Sequence, residues 1–257
     1  KKVVNAYLES WEDSDYFDSG DLIILSDKPS KVLVGPNQSD YMYFYRKSGS
    51  VFVLLTMIYT DGTTAGQSTD IDLSGNAGYI SCGPANLFAT PSKTLSGYTI
   101  EVHDAAPNGA ATLVKSYSFE VDNLCSDELA ATTLYWLNQK GGWESIEMEN
   151  VSGGASRNPV LYQSPQLSNT ANRNLSGGLT STDLRRQKTL TLFRVMDAKK
   201  DSHQFLQSVI SGREFYVRYH NGTEYIAHKC EVPSGTYGAI DKDNLTVQLP
   251  IILNNPV

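Results

Sequence analysis

The chain has 257 residues, 40 % hydrophobic and 19 % charged, with a net charge of −7. That apolar share supports a buried core and excludes disorder as the default state, and the length fits one large or two ordinary domains. An acidic chain repels phosphate backbones unless its Lys and Arg cluster; the densest basic groups, Arg185-Arg186 with Lys188 and Lys199-Lys200, read as solvated surface, so no specific nucleic-acid binding is expected.

The 20 glycines, 15 tyrosines and many β-branched residues favour strands joined by turns. Three widely spaced cysteines, Cys82, Cys125 and Cys230, read as small apolar residues in strands rather than as a disulfide framework. The longest apolar run, Val51 to Tyr59, is far short of the roughly 20 residues that span a bilayer, so no membrane is expected. No signal-peptide pattern is read at the start, which opens on Lys1-Lys2.

Residues 1–21, with Trp11, Glu12, Asp13, Asp15, Tyr16, Phe17 and Asp18, read as an acidic, aromatic N-terminal arm. Residues 22–123 read as strands and turns. Val32 to Val34 ends at the turn pair Gly35-Pro36. Tyr41, Tyr43 and Tyr45 alternate with Met42 and Phe44. Val51 to Tyr59 reads as a strand buried on both faces, followed by a hairpin turn at Asp61-Gly62. Tyr79 to Cys82, Tyr98 to His103 and Val114 to Val121 complete the set, the last presenting Tyr117, Phe119 and Val121 on one face. Short strands at this spacing, with no helical pattern between them, predict an immunoglobulin- or fibronectin-like β-sandwich.

Residues 124–257 form the second expected domain, a smaller α+β unit with one helix packed on a sheet. Thr133 to Asn138 and Trp143 to Met148 make a hairpin about Gly141-Gly142. Residues 150–188, rich in Ser, Asn, Gly and Thr and carrying Tyr162, show no period and read as an irregular arm. Thr189 to Val195 then alternates as a strand. Asp197 is placed to cap a helix whose face carries Phe205, Leu206, Val209 and Ile210, with Gly212 at its end. Glu214 to His220 and Glu224 to Val232 make a hairpin about Asn221-Gly222, and Leu245 to Leu253 alternates as the last strand. The fold class is therefore mainly β.

The chemical candidates are weak. Asp70, Asp72, Ser74 and Gly75 open like a calcium loop, but Ser81 stands where the bidentate Glu belongs. His103, His203, His220 and His228 show no metal-binding spacing, although His220 and His228 flank one hairpin. No G-x-S-x-G elbow or phosphate loop is present. Glu147 and Glu149 share a strand face about 7 Å apart, a spacing open to glycosidase chemistry but common on exposed strands. Tyr135, Trp136 and Trp143 are either a sugar platform or hairpin core. With no catalytic, cofactor or metal residues assigned, the chain reads as a non-enzymatic structural or binding protein.

The run Leu134-Tyr135-Trp136-Leu137-Asn138-Gln139-Lys140-Gly141-Gly142-Trp143-Glu144 resembles the L-x-W-L-N-x-x-G-G-W-[DE] signature of virion proteins in tailed phages and prophages of the Bacteroidetes, where it follows a short strand and a Cys, as Phe119 to Cys125 does here. Thr189 to Leu192, Phe205 to Ser211 and Phe215 to Val217 are similar to a strand, helix and hairpin of tail- or neck-associated subunits. The resemblance covers about the second half of the chain. It implies a structural subunit of a tail, neck or baseplate, found in the virion after assembly in the host cytoplasm, with copies of itself and other virion proteins as partners. On that reading the interface candidates are Trp136, Asn138, Gly141, Gly142, Trp143, Tyr162, Asn221 and Gly222.

Overall fold

The computed structural model describes residues 22–46, 49–73, 77–105, 111–122, 131–157, 160–163, 180–183, 186–196, 205, 208–209, 211–220, 223–232 and 245–254. The chain is mainly β, as its composition predicts. The first half supplies β1 (Ile23–Ile24), β2 (Lys31–Val34), β3 (Tyr41–Tyr45), β4 (Ser50–Tyr59), β5 (Thr64–Asp72), β6 (Ala77–Ser81), β7 (Leu95–Ala105) and β8 (Ala111–Val121). These form a three-stranded sheet in the order β1-β3-β6 and a five-stranded sheet in the order β2-β8-β7-β4-β5. Every pairing in them is antiparallel except β2 with β8.

Both sheets feed one core. Met42, Phe44 and Ile80 come from the smaller sheet, and Val51, Val53, Leu55, Met57, Tyr98, Ile100, Val102, Tyr117 and Phe119 from the larger. The alternation within Tyr41–Tyr45 and Tyr117–Val121 decides which face is buried, because successive strand side chains point to opposite sides. Tyr98 stacks on Phe119 with ring centroids 4.7 Å apart and donates its hydroxyl to the Cys82 carbonyl at 2.6 Å. Strand β4 corrects the expectation of burial on both faces. Val51, Val53, Leu55, Met57 and Tyr59 are buried, whereas Phe52, Leu54 and Thr56 are only half-buried and Ile58 is exposed. A continuous apolar run cannot report this, since the outer residues are covered only in part by the sheet's neighbours.

The second half supplies β9 (Ala131–Leu137), β10 (Trp143–Arg157), β11 (Val160–Gln163), β12 (Thr180–Asp183), β13 (Arg186–Met196), β14 (Phe215–His220), β15 (Tyr225–Glu231) and β16 (Leu245–Asn254). Six of these close into a barrel in the order β10-β13-β16-β15-β14-β9, and β11 pairs with β12. A barrel of so few strands is filled by its own side chains. Here Leu134, Trp136, Ile146, Met148, Leu192, Phe215, Val217, Leu249, Ile251 and Leu253 fill it, together with Phe205 and Val209. The sheet of the expected α+β unit is thus closed on itself. The expected helix is represented by Phe205, Ser208 and Val209, each helical in backbone, and the described residues define no complete helix. Asp197, Leu206 and Ile210 lie outside the described residues. Part of the segment expected to be irregular extends β10 to Arg157, starts β13 at Arg186, or forms β11 and β12. Its Ser, Thr and Gly residues hide the strand period, which the backbone pairing nonetheless supplies.

The predicted turn at Asp61-Gly62 joins β4 to β5, and Gly62 adopts φ +80°. Asp61 caps it by accepting from the Thr63 N–H at 3.0 Å and the Thr63 hydroxyl at 2.6 Å, while Lys93 Nζ lies 2.7 Å from its other oxygen. The Lys93 contact first, then Thr63, hold this exposed carboxyl down to about 2. A depressed carboxylate pKa favours folding above the ordinary carboxylate range, and that contribution is lost as pH falls towards 2. An acid titration followed by NMR at the Asp61 carboxyl carbon is expected to show the low midpoint, and Lys93→Met should raise it. A midpoint unmoved by Lys93→Met would discount the contact.

Candidate functional site

The motif that stands out in the sequence folds into the β9–β10 hairpin, where Trp143 pairs with Leu137 and Glu149 with Ala131. Its residues do two jobs: they fill the barrel end, and they fasten the barrel to the two-sheet unit. Trp136 is fully buried, its ring 5.1 Å from that of Phe205 and its indole N–H donated to Ser208 Oγ at 3.1 Å. The hairpin-core alternative therefore holds for Trp136, and it is not a platform for a sugar. Trp143 is half-buried and packs edge-on to Tyr216 at 5.5 Å. Tyr135 donates its hydroxyl to the Ser39 carbonyl at 3.0 Å.

Asn138 closes the turn. It exchanges backbone bonds with Gly142 and Gly141, and its Oδ1 accepts the Gly142 N–H at 2.9 Å. Gly141 adopts φ +87°, a conformation that side chains with a Cβ rarely take. Gly142 is required for a different reason. A Cβ there would stand 1.8 Å from the Leu25 carbonyl oxygen, so the hairpin approaches the loop after β1 at backbone contact. Gly35, on the other unit, lies against the Glu147 carboxylate, where a Cβ would displace the end of that side chain rather than backbone. Further contacts run across this junction. Gln38 Nε2 donates to Ser145 Oγ at 3.1 Å, Arg218 to the Asn37 carbonyl at 3.2 Å, and Lys140 pairs with Asp27 at 2.8 Å.

At the centre sits a buried ionic cluster. Lys28 Nζ contacts Glu144 Oε2 directly and lies 3.2 Å from Asp40 Oδ1, with all three side chains essentially without solvent exposure. The other Glu144 oxygen, Oε1, accepts the Asp27 N–H at 2.7 Å and Asn138 Nδ2 at 3.0 Å, and Asn138 Nδ2 also donates to the Leu25 carbonyl at 3.1 Å. Asp40 Oδ2 has no hydrogen-bond partner, nor does the buried Tyr117 hydroxyl nearby. Burial by itself would pull the Lys28 ammonium down, but Asp40 and Glu144 together more than reverse that, and its net shift is well above the usual lysine range. Burial raises the Glu144 carboxyl, with Lys28 opposing the rise. Burial also pushes the adjacent Cys82 thiol well up, with Asp40 adding to it, so that sulfur stays protonated and unreactive. An open groove of about 570 Å³ is lined by Ser26, Asp27, Lys28, Pro29, Lys140 and Ser211 among others.

The remaining candidates do not converge. Asp70 and Asp72 lie in the extended strand β5, exposed, where alternate residues cannot wrap an ion; Ser74 and Gly75 lie outside the described residues. Among the described residues no group of three or more His, Cys, Asp or Glu is placed to hold a metal. His220 and His228 belong to different rungs of the β14–β15 ladder and pack on Tyr225 and Tyr219 instead. Glu147 is buried against Gly35. Tyr162 lies on β11 opposite Ser181, its side chain not among those described, and Asn221 and Gly222 lie outside the described residues. Cys82 and Cys230 are buried free thiols, and Cys125 is outside the described residues. Lys28 and Asp40 carry no sequence signal of their own; each is an isolated polar residue in a loop or at a strand start, far along the chain from Glu144.

No family model matches the chain. No curated protein matches it either. Among solved structures a similar chain is the crystal structure of the calcium binding domain CBD12 of CALX1.1, at 7 % identity over 79 % of this chain and 82 % of that one, with a TM-score of 0.26. A likeness this weak assigns neither architecture nor ligand.

The steric argument at Gly142 makes a direct prediction. Gly142→Ala must push the turn away from Leu25, a cost of about 1–3 kcal/mol as for other forced overpacking. Urea unfolding monitored by tryptophan fluorescence should report it, and a variant as stable as the parent would contradict the backbone contact.

Proposed function

We propose that this chain is a structural subunit of a phage tail, neck or baseplate, working through subunit packing rather than turnover. The observation that carries the reading is the use made of the motif from Leu134 to Glu144: its Trp, Asn, Gly, Gly and Glu residues fill and fasten two β units. A part that must hold its shape under load gains from such a junction. On the same reading the first unit is an immunoglobulin-like sandwich and the second carries one helix packed on its sheet. Among the described residues, strand β5 stands at the end of the five-stranded sheet with a mostly exposed, polar margin of nine residues, a natural place for a neighbour's strand to add. Partners would be copies of the chain and other virion proteins. Light scattering and negative-stain electron microscopy over a wide concentration range should reveal a ring or tube. A monomer at every concentration, absent also from purified particles, would refute the proposal.

A second reading, a carbohydrate- or protein-binding surface module, is favoured by a different patch from the one the sequence indicates. Tyr41, Tyr43 and Tyr79 share the outer face of the smaller sheet with ring centroids 5.6–6.5 Å apart, and Tyr79 is 52 % exposed. Aromatic rings grouped in this way offer apolar area with polar tips. Glycan-array binding abolished by Tyr79→Ala, with the circular dichroism spectrum unchanged, would support this reading; no binding to any glycan or protein probe would remove it.

A further inference from the structure

We infer that Lys28 and Glu144 are the partners of an intramolecular amide cross-link, formed by the chain itself and joining its two β units. The inference is independent of the phage reading and rests on four observations at one place.

The amine and the carboxyl are in direct contact. Lys28 Nζ touches Glu144 Oε2, one bond from the carbon that would be attacked, and both side chains have no solvent exposure. Effective concentration is therefore set by the fold, and the attack needs no diffusion. The second observation concerns Oε1. It is held by the Asp27 N–H at 2.7 Å and Asn138 Nδ2 at 3.0 Å, two donors within the range that stabilises an oxyanion on a tetrahedral intermediate. Oε1 is thereby assigned as the oxygen that remains and Oε2 as the one that leaves. Third, Asp40 sits 3.2 Å from the same nitrogen and presents a buried oxygen, Oδ2, with no partner. A carboxylate in contact with the amine can accept a proton from it. Fourth, the surroundings are dry: the Phe205 ring lies 6.0 Å from Nζ, and Trp136 packs on that ring. Burial raises the Glu144 carboxyl so that it can take up a proton, while Asp40 and Glu144 hold Lys28 charged until it passes that proton on.

The step balances without any co-reactant. Lys28 passes one proton to Glu144 Oε2, leaving a neutral amine beside a neutral carboxylic acid. The nitrogen lone pair forms the new bond to Glu144 Cδ, and the displaced π electrons rest on Oε1 between Asp27 N–H and Asn138 Nδ2. Asp40 takes a second proton from the nitrogen and delivers it to Oε2. The Cδ–Oε2 bond breaks, Oε2 leaves as water, and the carbonyl re-forms at Oε1. Nζ has lost two protons and Oε2 has gained both; Asp40 ends as it began. Asp40 touches the reacting nitrogen and is on this account a catalytic residue of the cross-linking step.

Intact mass spectrometry of the folded-then-denatured full chain reads the result. The wild type should be lighter than its sequence by one water, and a tryptic map should contain one branched peptide joining the Lys28 segment to the Glu144 segment. Lys28→Met and Asp40→Ala should each show the full sequence mass and only linear peptides. The wild-type measurement does not depend on how well the variants fold. A wild-type chain of full mass would overturn the inference. So would a linear map in which the lost water belongs to another site, such as the Asp61-Gly62 peptide, whose dehydration gives the same total mass.

Discussion

The structure depends on one buried contact, the meeting of Lys28 with Glu144 and Asp40 at the end of the barrel. Placing three ionisable groups out of water is expensive, and the attraction among them repays the cost only when geometry and additional hydrogen bonds are good. Here Asp27 N–H and Asn138 Nδ2 satisfy the Glu144 oxygen that Lys28 does not touch. Such a cluster adds little net stability beyond what an apolar core of the same shape would give. It does impose specificity, because sliding either unit against the other would leave a buried charge unpaired. The junction is therefore defined in register and in distance by the atoms least tolerant of error.

Everything around the cluster tightens the same approach. Gly142 lets the hairpin touch the Leu25 carbonyl, and Gly35 leaves room for the Glu147 carboxylate. Gln38, Tyr135 and Arg218 bond the outer face of β9, β10 and β14 to the segment from Asn37 to Ser39. These are mostly polar contacts between chain segments 96 to 181 residues apart. Polar, geometrically demanding junctions suit a part that must sit in one orientation.

The elements whose periodicity is simple were legible. Tyr41 to Tyr45 and Tyr117 to Val121 show their buried faces in one glance, since a half-covered strand needs only alternation. The Asp61-Gly62 turn and the Gly141-Gly142 hairpin were legible because turn chemistry is local. The second face of β4 is not legible, because apolar outer residues look the same whether covered or half-exposed. The strands between Asn150 and Asp183 were illegible: Ser, Thr, Asn and Gly carry no hydrophobic alternation, so pairing with β13, or of β11 with β12, leaves no trace in composition. Of the candidate site residues, Trp136, Asn138, Gly141, Gly142 and Trp143 stand out as a motif in the sequence, yet their common task does not, because Leu25, Lys28 and Asp40 belong to loops and strand starts with no pattern of their own.

By itself the sequence determined that this is a β-rich chain with a buried core, where several of its hairpins turn, and which cluster of residues near 134–144 is unusual. These follow from local physics: backbone propensity, alternation and the freedom of glycine. Only the tertiary structure decided that the C-terminal strands close into a barrel, that Trp136 is inside it, and that Lys28 meets Glu144 across 116 residues. Closure and long-range ion pairing depend on how distant segments approach in space. Nothing in the side chains of a single segment encodes that approach; it is fixed where two surfaces exclude water together.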